Sequence, residues 1–457
     1  MTNDFDCVVV GAGPGGYVAA IRAAQLGLTT AIVEREPWLG GRCLHWACIP
    51  AKTVLRCADI LSEIRDAEAY GIDIPAPIVR FSAIADRRRE VIGSLAGGVS
   101  HLLAKNGIEV VPGKATLGTD RVIHVAERKL RAGTALILAT GSVRRAPTGL
   151  LYGNRVIGTE EAWAMNELPK SLAIVGGGSS GVEIASAYAR FGTDVTLFEY
   201  QGQLLPSEDA EIASIASRGL TEQGVDVHTS SVVNNVETVE DRISFVADEK
   251  AFEVDWLVLA TGRRPDVEGL GLDGAGVQFD KSGYVAVDEC LQTSAPGVFA
   301  IGDLVAGPAL AHKASEEGIV AVETAVGNQV RPLVHSDIPR ATFCTPNVAS
   351  VGLTEAEARS SGYDVVIGRA NYGAVGSSSI HGDRMGLAKI VGERSYGAVL
   401  GAHIVGTRAT ELIQQFAVTK SLEGGYLDIA RMPHAHPTLS EVLLEAARSA
   451  SGWQIHG

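Results

Sequence analysis

Aromatic side chains make up only 5% of the chain, cysteines number six, and basic charge is in deficit. Each shortage excludes something. Lys plus Arg total 39 against 53 Asp plus Glu, a formal charge of −14, and an acidic chain without a basic run is a poor ligand for nucleic acid or an anionic membrane. No apolar run approaches the ~18 residues that cross a bilayer, so no membrane insertion is expected. Six cysteines in 457 residues are too few for a secreted disulfide framework. The opening MTNDFD carries two acids and no basic stretch and runs straight into a strand, so no signal peptide is expected. These absences describe a soluble, cytoplasmic, globular protein, and no residue is assigned to a metal.

What is plentiful is glycine. The 53 glycines among 457 residues are about 12%, against a usual ~7%, and call for tight turns or close approach of backbone to a ligand. Their placement is ordered. Cys7 to Val10 form a short apolar run, followed by Gly11-Ala-Gly13-Pro-Gly-Gly16 and a helical pattern from Tyr17 to Leu26. Alternation returns from Thr29 to Val33 and ends on Glu34. The same design recurs as Ser171 to Val175, Gly176-Gly-Gly178-Ser-Ser-Gly181, a helix to Phe191, and Asp194 to Phe198 ending on Glu199. Gly11 to Gly176 and Glu34 to Glu199 are both separated by 165 positions. In each unit the glycines allow a tight turn, approach of a pyrophosphate and close helix–strand packing. The helix N-terminus offers unpaired N–H groups and a positive dipole end, and the acid is placed to bond ribose hydroxyls. A single such run is as often an ordinary turn. Two complete copies in register imply two dinucleotide sites, most simply a flavin and a nicotinamide in one hydride-transfer protein.

A smaller repeat, Leu136-Ile-Leu-Ala-Thr140-Gly141 and Leu257-Val-Leu-Ala-Thr-Gly262, reads as two buried strands stopping at Thr-Gly turns. Gly297-Val-Phe-Ala-Ile-Gly302-Asp303 is another strand ending in a carboxylate, placed either to accept from a polyol chain such as ribitol or to cap the next helix. Arg87-Arg-Arg-Glu90 reads as a solvated helix face.

After the first unit comes Gly40-Gly-Arg42-Cys43-Leu-His45-Trp46-Ala-Cys48-Ile-Pro50-Ala-Lys52. On an ideal helix, cysteines five apart sit slightly too far for a relaxed disulfide. Pro50 would disturb the end of such a helix, so that a bent turn closes the ring. A strained, accessible disulfide is the labile, catalytic kind. The alternative is two unpaired buried cysteines. Cys7, Cys57, Cys290 and Cys344 have no cysteine nearby in sequence and read as small core or surface residues.

The cysteine spacing, the paired glycine runs, the Ala-Thr-Gly turns and Asp303 resemble the class I pyridine nucleotide–disulfide oxidoreductases. Ala311-His-Lys-Ala-Ser-Glu-Glu-Gly318 and His434-Ala-His436-Pro-Thr-Leu-Ser-Glu441 make the likeness greatest to the dihydrolipoamide dehydrogenases. The resemblance covers essentially the whole chain. It implies an α/β fold of two Rossmann-like domains for FAD and NAD and a C-terminal α+β interface domain, assembled as a homodimer. The implied boundaries are 1–145 for FAD, 146–268 for NAD, 269–335 for a central domain completing the FAD site, and 336–457 for the interface. Arg42, His45, Trp46, Ala47 and Ala51 depart from the family pattern beside the cysteines. Thr345 stands where the family often has His in an interface strand.

By the same resemblance, Gly11, Gly13, Gly16, Glu34, Lys52, Thr140, Gly141, Gly302, Asp303 and Ala311 would hold FAD. Gly176, Gly178, Gly181, Glu183, Glu199 and Gly262 would hold NAD, and Lys52 with Glu183 matches a family ion pair near the flavin. Cys48 would be the thiolate beside the flavin and Cys43 the thiol exchanging with substrate. A base must take the protons of an oxidised dithiol, and His436, titrating near neutrality, is the candidate. Glu441 would orient it, or would instead close a capping box with Thr438. Glu199 accepts from a ribose 2′-OH and repels a 2′-phosphate, and no arginine comes after it in the loop, so NAD is expected over NADP.

The expected activity is oxidation of protein-bound dihydrolipoamide by NAD⁺. The alternatives are an NADH-dependent reductase of another small or protein disulfide, and a non-catalytic flavin-binding component of a larger assembly. The partner is then a lipoyl-bearing protein or a small dithiol. The coenzyme argument disfavours a glutathione reductase, and a mercuric reductase would need a further cysteine pair after Cys344.

Overall fold

The computed structural model describes residues 2–457. Contacts divide the chain into two compact units. The first comprises residues 1–53, 83–145 and 262–335, the second 54–82, 146–261 and 336–457.

The first unit is built on a sheet whose parallel strands lie in the order Glu109–Pro112, Thr30–Glu34, Thr2–Val10, Arg128–Leu138 and Val298–Ala300. Ala115–Leu117 and Val122–Val125 extend it as an antiparallel flap. Val8, Val9, Ile32, Leu136, Ile137 and Ala300 are fully buried or nearly so. A parallel sheet covered on both faces needs such unbroken apolar runs. The helix Pro14–Gln25 crosses from the first strand to the second, with Ala19, Ala20 and Ala23 buried.

The second unit repeats this order. Asp226–His228, Asp194–Phe198, Ser171–Val175, Trp256–Leu259 and Val156–Gly158 form an all-parallel sheet, and the helix Ser179–Phe191 is its crossover. The strand order reverses beside Thr2–Val10 in the first sheet and beside Ser171–Val175 in the second, the place where α/β sheets bind ligands. The second unit also holds an antiparallel sheet, in the order Arg340–Thr342, Val348–Gly352, Val399–Val405, Leu387–Glu393 and Val365–Asn371. The helix Glu441–Ala450 packs Val442, Leu443, Ala446 and Ala447 into this sheet's core. Gly368 permits that approach, because a Cβ there would strike the Ala446 carbonyl. This is the α/β architecture, with a C-terminal α+β part, that the sequence implies.

Two local expectations change. Pro50 does not end a helix spanning both cysteines. The chain breaks earlier, at Trp46 and Ala47, between the helices Gly41–His45 and Cys48–Arg65. Pro50 then lies in a first turn, where its missing N–H costs nothing. Arg88 does not belong to a solvated face: it is buried, three positions after buried Ala85 and so on the same side of the helix Phe81–Lys105. Among the described residues, no helix is long and apolar enough to cross a membrane, and no His, Cys, Asp or Glu cluster is placed to hold a metal.

Candidate active site

The two glycine turns are the same object built twice. Gly11 and Gly176 have φ of 101° and 112°, which an L side chain rarely adopts. A Cβ on either would strike the carbonyl of Ala139 or Ala260, and one on Gly16 or Gly181 would strike the carbonyl of Gly11 or Gly176. These glycines bring helix onto strand. The middle glycines differ in kind: a Cβ on Gly178 meets nothing within 4 Å, and one on Gly13 only the Gly41 Cα at 4.0 Å. Each middle glycine therefore leaves open a space that a side chain would fill, at a helix N-terminus with no side-chain cap. That open space, with unpaired N–H groups beside it, fits a pyrophosphate in both copies.

The acids complete each turn. Glu34 Oε2 accepts from the Ala12 N–H at 2.7 Å and Oε1 from Glu36 N–H at 3.0 Å. Glu199 Oε2 accepts from Gly177 N–H at 2.6 Å and Oε1 from Gln201 N–H at 2.7 Å. A carboxylate has about four lone-pair sites, so each acid keeps acceptor capacity for ribose hydroxyls while holding its own loop.

In the first unit, Gly40 N–H donates to the Ala12 carbonyl at 2.9 Å, and a Cβ on Gly41 would come within 2.5 Å of the Gly13 Cα. This close approach starts the cysteine helix at the mouth of the glycine turn. Cys43 lies in Gly41–His45 and Cys48 opens Cys48–Arg65. The Cys43 thiol hydrogen-bonds Cys48, and this bond, with burial and the charge on Cys48, holds the Cys43 pKa far above the ordinary thiol value. Lys52 and Arg42 pull it the other way. Cys48 sits at a helix N-terminus, where thiolates are favoured. Trp38 lies tilted beside His45 and edge-on to Trp46, at ring separations of 5.5 and 6.0 Å. His45 Nε2 bonds the Leu39 carbonyl, and Trp46 is 40% exposed.

Other residues expected at FAD also lie in this unit. Thr140 donates its hydroxyl to the Asp266 carbonyl, and Gly141 accepts from Asp266 N–H, so this turn is occupied in pinning the chain at Asp266. Asp303 accepts from the Ser142 hydroxyl, which in turn accepts from Arg263. It caps no following helix: Ala311–Ala325 begins with Leu310 at its N-cap and no side-chain cap, leaving the Ala311 end open. Gly302 is gripped at both ends, its N–H on Glu317 and its carbonyl on Lys313, at 2.7 and 2.8 Å. Lys313 and Glu317, a fully buried ion pair at 3.1 Å, were not singled out from the sequence. Their signal was an i,i+4 Lys–Glu pair on a helix. Ser142, Arg263 and Tyr17, whose phenol pKa burial pushes up, had no sequence signal.

The remaining candidates other than Gly262 lie in the second unit. Glu183 is buried and accepts from Phe343 N–H. Gly262 opens the first unit's last segment with φ of 102°, and a Cβ there meets nothing. Thr345 lies beyond the strand Arg340–Thr342, its N–H on Ser186 and its carbonyl on Gln223. His436 Nδ1 donates to Glu441 Oε1 at 2.9 Å, and Glu441 Oε2 accepts from Thr438 N–H at 2.9 Å. The bond from Thr438 is only half of a capping box: the helix Glu441–Ala450 has Ser440 at its N-cap and no side-chain cap, so the orienting contact to His436 is the one the geometry forms in full. Burial alone would raise its carboxyl, but the bonds from His436 and Thr438 hold it below the usual carboxylate range. The His436 ring is 75% exposed, and with Nδ1 donating, Nε2 carries the free lone pair. His434 is tied on both nitrogens, to Met432 carbonyl and Gln415.

Residues 5–318 match the pyridine nucleotide-disulphide oxidoreductase family, and residues 338–447 match that family's dimerisation domain. The chain belongs to this family. It is a flavin-dependent disulfide oxidoreductase that uses FAD and NAD, and its dimerisation domain supports a homodimer. Curated relatives include the dihydrolipoyl dehydrogenases of Zymomonas mobilis, 40% identical, and Bacillus subtilis, 37% identical, each covering 100% of both chains. Among solved structures, the HOCl-induced flavoprotein disulfide reductase RclA from Escherichia coli has a TM-score of 0.87, 26% identity, and covers 97% of this chain and 99% of its own. LpdA from Mycobacterium tuberculosis has a TM-score of 0.89, also at 26% identity, over 98% and 99%.

Proposed function

We propose that the enzyme oxidises protein-bound dihydrolipoamide to lipoamide with NAD⁺ as acceptor, in the cytoplasm. The observation that carries this is the Cys43 thiol bonded to Cys48 at a helix N-terminus, set beside the first glycine turn. The dihydrolipoyl dehydrogenases similar to it over their full length support the substrate. The four-part division at 145, 268 and 335 belongs to the same reading.

A substrate thiolate attacks Cys43 Sγ of the Cys43–Cys48 disulfide; the S–S bond breaks and Cys48 leaves as thiolate. The second substrate sulfur attacks the mixed disulfide, closing the product disulfide and releasing Cys43. Two protons leave the substrate. One goes to His436 Nε2, and one ends on Cys43, giving the thiol that bonds Cys48. Glu441 fixes the imidazole tautomer and stabilises the imidazolium. Lys52 and Arg42 supply positive charge beside the sulfurs. FAD, when bound at the Gly11–Gly16 turn, supplies the two-electron relay from the dithiol to NAD⁺. In the homodimer, His436 of one subunit serves the cysteines of the other. The test is subunit exchange between His436→Gln and Cys43→Ser variants, each inactive alone. Partial recovery on mixing supports the shared site, and demonstrated exchange without recovery refutes it.

One observation favours a second reading, reduction of another disulfide by NADH. Trp38, His45 and half-exposed Trp46 cluster on the cysteine segment. Comparing kcat/KM for lipoyl-domain protein, free dihydrolipoamide and glutathione disulfide separates the two.

A further inference from the structure

After Glu199 the chain runs from Tyr200 to Glu208 without regular structure before the helix Ala210–Glu222 begins at its N-cap, Asp209. Internal bonds shape this loop: Gln201 carbonyl accepts from Ser230 N–H, and Leu205 N–H donates to Gly177 carbonyl, both at 2.8 Å. Leu204 also packs where a Cβ on Gly177 would stand. The loop thus forms the wall beside Glu199 and the phosphate turn.

Its far end is held from the C-terminal sheet. Lys389, in the strand Leu387–Glu393, places Nζ 2.9 Å from both Asp209 oxygens, 2.9 Å from Glu355 Oε2 and 3.2 Å from Glu211 Oε2. Arg340 bonds Glu208 Oε1 at 3.0 Å and the Ser207 carbonyl at 3.4 Å. Lys389 and Asp209 are almost wholly buried, at 3% and 4% exposure. Burying charges costs several kcal/mol per ion unless partners compensate. Here the compensation is complete enough that Lys389 rises above its ordinary pKa despite burial, through hydrogen bonds to Glu355 and Asp209. Arg369 holds Glu211 and Glu355 from outside. Without Lys389, three carboxylates face one another at the end of the loop.

We propose that Lys389 and Arg340 are positioning residues for the nicotinamide coenzyme: by fixing Ser207, Glu208 and Asp209, the C-terminal sheet holds the Tyr200–Glu208 loop in the form that presents Glu199 and the Gly177–Gly178 turn. This rests on the reading of Gly176–Gly181 as the NAD site. Neither residue touches the coenzyme, so their effect falls on its binding and not on the sulfur chemistry.

The experiment uses FAD-loaded Lys389→Met, Lys389→Arg and Arg340→Gln. NADH dissociation constants come from calorimetry, with KM and kcat for NAD⁺ measured alongside. Lys389→Met should weaken NADH binding roughly three- to thirtyfold, the range seen for substitutions along a packed network. KM should rise in step, kcat at saturating NAD⁺ should hold, and FAD content should not change. Lys389→Arg should restore part of the affinity, and Arg340→Gln should show a smaller shift in the same direction. A Lys389→Met protein with lowered melting temperature but wild-type NADH affinity overturns the proposal. If that variant does not fold, the quarter-exposed Arg340 decides: unchanged affinity in Arg340→Gln overturns it. Gly178→Ala, run in parallel, isolates the underlying reading, since wild-type NADH affinity there means the coenzyme lies elsewhere.

Discussion

The two glycine turns match far beyond their glycines, and then part. Gly11 N–H bonds Val33 carbonyl and Gly176 N–H bonds Phe198 carbonyl, both at 2.8 Å. Ala12 and Gly177 each donate to the acid 22 positions on. Gly40 N–H returns to the Ala12 carbonyl and Leu205 N–H to the Gly177 carbonyl, at 2.9 and 2.8 Å, so the backbone repeat still holds six residues beyond each acid. There the copies diverge. Gly40 leads into Gly41 and the cysteine helix, whereas Leu205 leads into Pro206 and the clamped Ser207–Asp209. One cradle thus carries a cysteine pair at its own mouth, and the other the clamped loop before Ala210–Glu222. The two copies share a glycine cradle, and the redox chemistry proposed for Cys43 and Cys48 belongs to the segment beyond their last common hydrogen bond.

The largest effect should come from the base that the cysteine-bearing copy does not contain. His436→Gln should leave FAD binding and reduction by NADH largely intact while lowering dithiol oxidation by about 10²–10⁴-fold, the usual worth of a general base. Steady-state rates beside stopped-flow flavin reduction check this. Equal losses in both would tie His436 to the coenzyme half-reaction instead.

Next is the acid of the second copy. Glu199→Arg should lower kcat/KM for NADH roughly ten- to a hundredfold, as expected for a lost charged hydrogen bond worth about 1.5–3 kcal/mol, and raise it for NADPH. Because Glu199 also holds Gly177 and Gln201, melting temperature must be followed as well. Wild-type protein using both coenzymes equally would undo the assignment.

The middle glycines separate the copies directly. Gly13→Ala should reduce FAD retention and Gly178→Ala NADH affinity, with little loss of fold, since the added methyl meets almost no protein. Gly181→Ala, which drives a methyl into the Gly176 carbonyl, should instead destabilise by the ~1–3 kcal/mol of overpacking. Flavin content, calorimetry and thermal melts distinguish these outcomes.

The smallest effect is a pH dependence confined to the clamp. Asp209 and Glu355 are pushed up by burial but held below their ordinary pKa by Lys389. A depressed carboxylate contributes stability above its unfolded pKa and loses it as pH falls through the folded one. The melting-temperature gap between wild type and Lys389→Met should therefore be widest near neutrality and close below about pH 4. A gap that widens on acidification would mean the carboxylates are not the partners that matter.

Much of this was legible in the sequence because periodicity and glycine spacing are local. The two parallel sheets, both crossover helices and the acids at Glu34 and Glu199 follow from runs of a few dozen residues. What escaped is made by distance. The bonds from Lys313 and Glu317 to Gly302, and from Arg263 to Ser142 and on to Asp303, join segments with no shared pattern. Lys389 carries no local signal in the sequence, because the three carboxylates around it come from distant segments. Arg88 and Pro50 were misread for a related reason: a residue type suggested exposure or a break, and helix phase decided otherwise. At Glu441 the capping box suggested by Thr438 does not form, because the helix begins at Glu441 itself with Ser440 as its uncapped N-cap.

The central claim, that the first copy's cysteines carry the electrons and Cys48 is the thiolate facing the flavin, is tested most directly by anaerobic titration with limiting NADH under a recording spectrophotometer. The account predicts long-wavelength thiolate-to-flavin absorbance in the wild type, absent in Cys48→Ser and retained in Cys43→Ser. Absorbance that survives in Cys48→Ser and vanishes in Cys43→Ser would exchange the two cysteines, and flavin bleaching without any such band in the wild type would contradict the account outright.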